Sequence, residues 1–220
     1  MQATQKKTSI RRRALSRYIG PSCRLCRREG VKLFLKGERC YTEKCAIEKR
    51  NYPPGQHVDT KSKFQEYGLR LREKQKLRRI YGLSEKQFRR FFTMAETKEG
   101  ITGTNFLVLL ERRIDNMVFR LGFATSRKEA RQLVSHSHVT VNGKKVSAPS
   151  YIVRAGDEIE VRHKTLPSVQ NALESVVRRG MPSWIELDKE NMKGVIKLLP
   201  TREDITMPIK EQLVVEYYSR

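Results

Sequence analysis

All four cysteines of this chain fall between residues 23 and 45, spaced Cys23-x2-Cys26-x13-Cys40-x4-Cys45. Two close pairs separated by a loop that can fold back suit four tetrahedral sulfur ligands at about 2.3 Å around zinc. A site with all four positions filled by protein is structural rather than catalytic. Here it would hold Arg24, Arg27, Arg28 and Lys32 in a fixed array. Cys45 is expected in the first turn of a short helix begun by Thr42, where the helix N-terminus favours thiolate. The alternative is four unrelated buried cysteines.

Charge then says what such an array is for. Residues 1–92 carry 26 Lys+Arg against 8 Asp+Glu, a net of +18, whereas residues 93–220 carry 20 against 16, a net of +4. The leading part is therefore a polyanion surface, and a total of +22 speaks about partners rather than fold. The longest wholly apolar run, Phe106 to Leu110, is far short of the roughly 20 residues a membrane-spanning helix needs. The start, MQATQKKTSIRRR, has no apolar stretch and does not read as a secretory signal. The cytoplasm is the default compartment, where cysteines serve metals more often than disulfides. At 220 residues the chain can bury a core in one or two domains without a metal.

Residues 1–17 read as a basic tail that orders only on its partner. NYPPGQHVDTKSK, 51–63, reads as a Pro/Gly-rich loop. A helix is expected over Phe64 to Tyr81, with Phe64, Tyr67 and Leu71 at helical spacing. Ser84 with Gln87 forms a capping box, and Phe88, Phe91, Phe92 and Ala95 recur at i, i+3, i+4, i+7. Phe106, Leu110, Ile114, Met117, Val118 and Leu121 give a further helical stripe ending near Gly122. Ser126 with Glu129 opens a short helix through His136 that leaves Arg127, Lys128 and Arg131 on its outer side. The period then becomes two: Val139 and Val141, the hairpin signal Asn142-Gly143, Lys144 to Val146, and a strand over Glu158 to Arg162. Val169, Ala172, Leu173, Val176 and Val177 form a last clear helix, stopped by Gly180 and Pro182.

Cations interleaved with tyrosines suit RNA, because cations neutralise phosphates and rings stack on unpaired bases. The candidate contacts are Arg11, Arg12, Arg13 and Arg17 in the tail and Arg24, Arg27, Arg28 and Lys32 beside the cysteines. Tyr52, Gln56, His57, Lys61 and Lys63 lie in the loop, and Tyr67, Arg70, Arg72, Lys74, Lys76, Arg78 and Arg79 on the helix after it. Ser126, Arg127, Lys128, Arg131, Asn142, Lys144 and Lys145 complete the set. Reversing Arg127 and Arg131 to Glu is expected to weaken binding and leave the fold intact. His57, His136, His138 and His163 have no carboxylate spaced to partner them, so no catalytic site is expected.

RYIGPSCRLCRREG, KCAIEKRNYPPGQH, YGLSEKQFRRFF, LLERRIDNMVFRLGFATSRKEARQLV, HVTVNGKKV, LPTREDI and EQLVVEYYSR strongly resemble bacterial small-subunit ribosomal protein number four, in its four-cysteine form, from about Arg17 to Arg220. The resemblance implies an α+β protein. A zinc knuckle and helical rRNA-binding domain would span 18–110, and an inserted α/β RNA-binding module with a short antiparallel sheet 111–164. The C-terminal segment, 165–220, would pack back on the helical domain. It further implies a non-enzymatic constituent of the cytoplasmic ribosome that binds the 5′-domain junction of small-subunit rRNA early in assembly. Contacts with small-subunit ribosomal protein number five that influence translational accuracy, and in some members with mRNA where it enters the subunit, belong to the same expectation, as does the absence of a membrane or small-molecule partner. Val58 and Ser137 stand where this family leads one to expect glycine, and the residues before Arg17 look added.

Two rival readings differ in class. The module also occurs in pseudouridine synthases, and Arg113-Ile114-Asp115 mimics their short catalytic motif, but no further domain supplies a base pocket. A zinc-containing DNA-binding regulator would need a recognition helix directly after the thiols, which the sequence lacks.

Overall fold

The computed structural model describes residues 18–56, 65–162 and 166–219, leaving aside the side chains of residues 175 and 177–179. Arg11, Arg12, Arg13, Arg17, His57, Val58, Lys61, Lys63, Phe64 and His163, and the side chain of Val177, lie outside the described residues. No helix among the described residues is long and apolar enough to cross a membrane.

The cysteine-bearing lobe consists of α1 (Ser22–Glu29), a 3-10 turn (Gly37–Cys40) and α2 (Ala46–Lys49). Cys45 occupies the N-cap of α2 rather than its first turn. Its N–H donates to the Thr42 carbonyl at 3.0 Å, so Thr42 closes a turn and does not open the helix. The helical domain continues through α3 (Glu66–Ile80), α4 (Glu85–Glu96) and α5 (Thr102–Glu111). Ser84 caps α4, its Oγ accepting from the Gln87 N–H at 3.4 Å. Phe88, Phe91, Phe92 and Ala95 are all buried, as their spacing requires. Phe88 and Phe92 meet Phe106 of α5 edge-on at 4.9 and 5.5 Å between centroids. Each such ring contributes about 1.5–3 kcal/mol through burial. α9 (Glu211–Tyr218) closes this core, setting Tyr218 against Phe92 at 4.6 Å.

The stripe from Phe106 to Leu121 is not one helix. α5 ends at Glu111, and α6 (Ile114–Arg120) begins after a break at Arg112 and Arg113. There the backbone pairs across the fold: the Val153 N–H donates to the Arg112 carbonyl at 3.0 Å, and the Ile114 N–H donates to the Tyr151 carbonyl at 2.8 Å. The halves of the stripe consequently serve different cores. Phe106 and Leu110 belong to the helical domain, whereas Ile114, Met117, Val118 and Leu121 belong to the module.

The module contains α6, α7 (Arg127–Ser135), β1 (Val139–Val141), β2 (Lys144–Val146) and β3 (Glu158–Val161). Asn142 and Gly143 take φ of 49° and 74°, as a two-residue hairpin with the right twist demands. Ser137, at φ 62°, fills a left-handed position that glycine would occupy without strain, at a cost of about 1 kcal/mol. The sheet does not end at β3, because β4 (Ile185–Asp188) and β5 (Lys193–Ile196) extend it to five antiparallel strands in the order β2-β1-β3-β5-β4. This departs from the expectation that all of 165–220 packs on the helical domain. Trp184, Ile185, Met192 and Ile196, with Val169 of α8 (Pro167–Arg179), join the module's core, whereas Ile205, Ile209 and Val214 join the helical one, with Met207, Val215 and Tyr218 packed against it. Pairing with β5 covers the open edge of β3. Gly194, opposite Ile159, allows the approach: a Cβ there would lie 2.3 Å from Leu121 Cδ2. Gly122, at φ 87°, does the same for α8, since its Cβ would lie 1.8 Å from Val176 Cγ2.

Candidate nucleic-acid interface

The four cysteines line one small cavity, with Ser22, Leu35, Lys36 and Arg39 among its other walls. Cys26, Cys40 and Cys45 are buried and Cys23 partly so, and none is in a disulfide. Burial pushes the Cys26 thiol up, as does the nearness of Cys40, Cys23 and Cys45, while the Leu33 N–H pulls it down. Cys40 is pushed up in the same way, and its sulfur accepts from the Lys36 N–H at 3.4 Å. The group is thus a set of soft donors that oppose one another's ionisation, the condition a cation relieves. As the side chains stand, no group of three or more His, Cys, Asp or Glu among the described residues is placed to hold a metal ion.

Six cations of α3 were expected at RNA, and the structure gives each a carboxylate. Arg70 Nε donates to Glu216 Oε2 at 2.7 Å and Arg78 Nη1 to Glu85 Oε2 at 3.1 Å. Lys74, 4% exposed, bonds Glu85 Oε1 at 2.7 Å and lies over the Tyr217 ring at 4.4 Å. Lys76 pairs with Glu73 at 2.7 Å. Arg72, at 3.4 Å, and Arg79 both pair with Glu29, whose side chain is 2% exposed. Burial pushes the Glu29 carboxyl up, and Arg72 and Arg79 pull against that. Tyr67 packs on Tyr217 at 5.8 Å. Beside the cysteines, Lys32 pairs with Glu48. Arg27 donates to the Tyr52 and Pro53 carbonyls at 2.9 and 3.3 Å and lies over the Tyr52 ring, tying down the loop that carries exposed Gln56.

The cations presented outward lie elsewhere. Arg24 and Arg28 on α1 and Lys144 and Lys145 on the hairpin are exposed, with no ion pair among the described residues. So are Lys86, Arg89 and Arg90. These three were not among the candidates, although their spacing is visible in the sequence: they stand at i, i+3, i+4 on the face of α4 opposite the phenylalanines.

In the module, Ser126 is an N-cap, its Oγ accepting from the Glu129 N–H at 3.3 Å. The Glu129 carboxylate turns to the Thr125 N–H, at 2.8 Å, instead of completing the box on Ser126. Asn142 is consumed within the fold, bonding Asp157 at 2.9 Å and the Glu158 N–H at 2.9 Å. Lys128 is exposed yet bonds Ser22 Oγ at 2.7 Å. Arg113 and Asp115 form a buried pair at 2.6 Å that Arg131 joins at 3.4 Å, which accounts for that motif as structure. Arg127 lies over the Phe119 and Tyr81 rings at 4.5 and 5.2 Å and donates to Asn116 Oδ1 at 2.8 Å. Reversing Arg127 is therefore expected to destabilise the fold, where the sequence alone led to the expectation of an intact one.

Asn116 in turn donates to Glu111 Oε2 at 2.7 Å. Glu111, fully buried, also accepts from the Tyr81 hydroxyl at 2.6 Å and from Arg120 at 2.9 and 2.8 Å. Burial alone would raise its pKa; the Arg120 guanidinium overrides that and holds the carboxyl at about 2.

Two family models match the chain: Ribosomal protein S4/S9 N-terminal domain over residues 17–111 and S4 domain over residues 112–159. Among curated proteins, the chain is similar to the small ribosomal subunit proteins uS4 of Geotalea daltonii, Geotalea uraniireducens and Geobacter sulfurreducens. These are 63%, 62% and 61% identical over 208 residues, which is 94% of this chain and 100% of each relative.

Proposed function

From the premise that this chain belongs to the small ribosomal subunit protein uS4 family, we infer that its outward cations grip one folded RNA, the 5′-domain junction of small-subunit rRNA, and nucleate assembly of the subunit body around it. The chain is a structural, rRNA-binding component of the small ribosomal subunit in the cytoplasm and not an enzyme. The observation that carries the finer reading is the set Arg24, Arg28, Lys86, Arg89 and Arg90, exposed and without carboxylate partners among the described residues on one folded domain. On this reading these cations are phosphate contacts, which bring register and strong salt dependence.

Zinc on Cys23, Cys26, Cys40 and Cys45 is part of the same proposal, supported by the shared cavity and the all-sulfur donor set. When bound, it would supply a cross-link and the positive charge that draws the thiol protons off. Contact with small-subunit ribosomal protein number five, an influence on translational accuracy, and contact with mRNA where it enters the subunit rest on the family alone. Chemical footprinting of small-subunit rRNA, with and without a zinc chelator, tests the proposal. Protection confined to one junction and weakened by chelation is expected; scattered, salt-labile protection on any RNA would reduce the protein to a generic basic binder.

A further inference from the structure

Arg112 and Arg113 stand side by side where α5 gives way to α6, and only one of them is answered by an acid. Arg113 is buried on Asp115, at 3.0 and 2.6 Å, whereas half-buried Arg112 has no ion pair among the described residues. Arg112 Nε donates to the Val153 carbonyl at 2.9 Å, and the Arg112 carbonyl accepts from the Val153 N–H at 3.0 Å, so the side chain is tied at both ends. Nη1 and Nη2 have no acceptor among the described residues. Arg154, the residue after Val153, is exposed and has no ion pair among them either. Burial pulls the Arg112 guanidinium below its ordinary pKa and the like charge of Arg154 pulls with it, while Asp157 pulls the other way. Both Asp157 oxygens are engaged in the turn, Oδ2 by the Arg154 backbone N–H at 2.7 Å and Oδ1 by Asn142 Nδ2 at 2.9 Å. Two guanidiniums against one carboxylate leave a net positive charge at a partly desolvated position, which an anion would relieve.

We propose that Arg112 and Arg154 together clamp one backbone phosphate of the bound RNA at the junction of the two domains. The proposal rests on the rRNA-binding reading and deepens it, adding a contact apart from those on α1 and α4. A guanidinium whose Nε is fixed to the protein presents its remaining N–H groups as a planar fork, the shape that grips phosphate oxygens. The surroundings favour a chain of phosphates over a lone one. Through its bond to Asp157, Asn142 joins the turn bearing Arg154 to the hairpin whose Lys144 and Lys145 are exposed without ion pairs among the described residues. A free phosphate would end at the arginines, whereas a polynucleotide backbone can continue to the lysines.

The test measures binding of the full-length protein to a transcript of the rRNA 5′ domain as salt is varied. For Arg112→Gln with Arg154→Gln, one shared phosphate predicts that the slope of log affinity against log salt falls by about 0.9, not by the roughly 1.8 of two separate contacts. Ethylation of transcript phosphates should interfere with the wild-type protein at one position where it no longer interferes with the double variant. Arg154→Gln alone, which removes no hydrogen bond of the described fold, should weaken binding with an unchanged thermal transition, so that misfolding is not the cause. An unchanged slope, or a loss of about 1.8, overturns the clamp. Identical ethylation patterns in the two proteins overturn it as well; a thermal transition of the wild-type protein raised by inorganic phosphate or by an oligoglutamate peptide, but not in the double variant, would then assign the arginines to a free anion or to an acidic partner. Those outcomes leave rRNA binding intact, whereas failure of the wild-type protein to bind the transcript at all sinks both readings.

Discussion

α3 and α4 follow one another in the chain and both carry several cations, yet they use them in opposite ways. Arg70, Arg72, Lys74, Lys76, Arg78 and Arg79 all meet carboxylates, two of them on Glu29 of α1 and one on Glu216 of α9. Lys86, Arg89 and Arg90 meet none among the described residues. What decides the difference is the neighbour. α3 finds acids on α1 (Glu29), on α9 (Glu216), at the start of α4 (Glu85) and within itself (Glu73), whereas Lys86, Arg89 and Arg90 on the polar face of α4 are exposed with no carboxylate facing them among the described residues. A run of positive charge therefore marks RNA only where nothing in the fold answers it.

That contrast can be broken at several points. The largest effect is expected from Arg127→Glu, which sets a carboxylate beside Glu111 and should cost about 3–5 kcal/mol in urea unfolding. If it unfolds like the wild-type protein, Arg127 is a surface cation after all. Next comes Glu111. Its folded carboxyl lies near 2, below the ordinary 4.5, so its contribution is fully present above about pH 4.5 and lost as pH falls through about 2. The stability gap between wild type and Glu111→Gln, about 3 kcal/mol at pH 7, should close across that window; a gap independent of pH would show that the charge of Glu111 contributes nothing. Arg72→Gln with Arg79→Gln takes from buried Glu29 both of its ion-pair partners and should lower stability by about 2 kcal/mol, a figure discounted for partial exposure of the arginines. The same pair should leave the salt dependence of rRNA binding unchanged. The smallest stability effect, none measurable, is expected from Arg89→Gln with Arg90→Gln. That variant removes the same charge but should lower the slope of log affinity against log salt by about 1.8. Should the two double variants exchange behaviours, the division between α3 and α4 is wrong.

Local order was legible in the sequence, and partnership was not. The caps at Ser84 and Ser126, the phenylalanines of α4 and the hairpin at Asn142-Gly143 follow from spacing within a few residues. The break at Arg112-Arg113 depends on backbone about 40 residues away, at Tyr151 to Val153, which no helical period announces. Strands β4 and β5 are four residues each and carry Glu186, Asp188, Lys193 and Gly194, too little alternation to read. The ion pairs of α3 span up to 146 residues, from Arg70 to Glu216, so composition alone assigned those cations to RNA. The cysteine lobe shows the same limit: spacing brought the four sulfurs to one cavity, but not how closely they gather.

Glu111 takes hydrogen bonds from Tyr81, where α3 ends, and from Asn116 and Arg120 of α6, so one carboxylate is shared by both domains. The arginines on α1 and α4 and the lysines at the hairpin tip are thereby held at fixed separations before any RNA arrives. On the proposed reading such a protein acts as a ruler: an RNA whose phosphates match the spacing binds with little ordering penalty, and one that does not match binds at the cost of displacing one domain against the other.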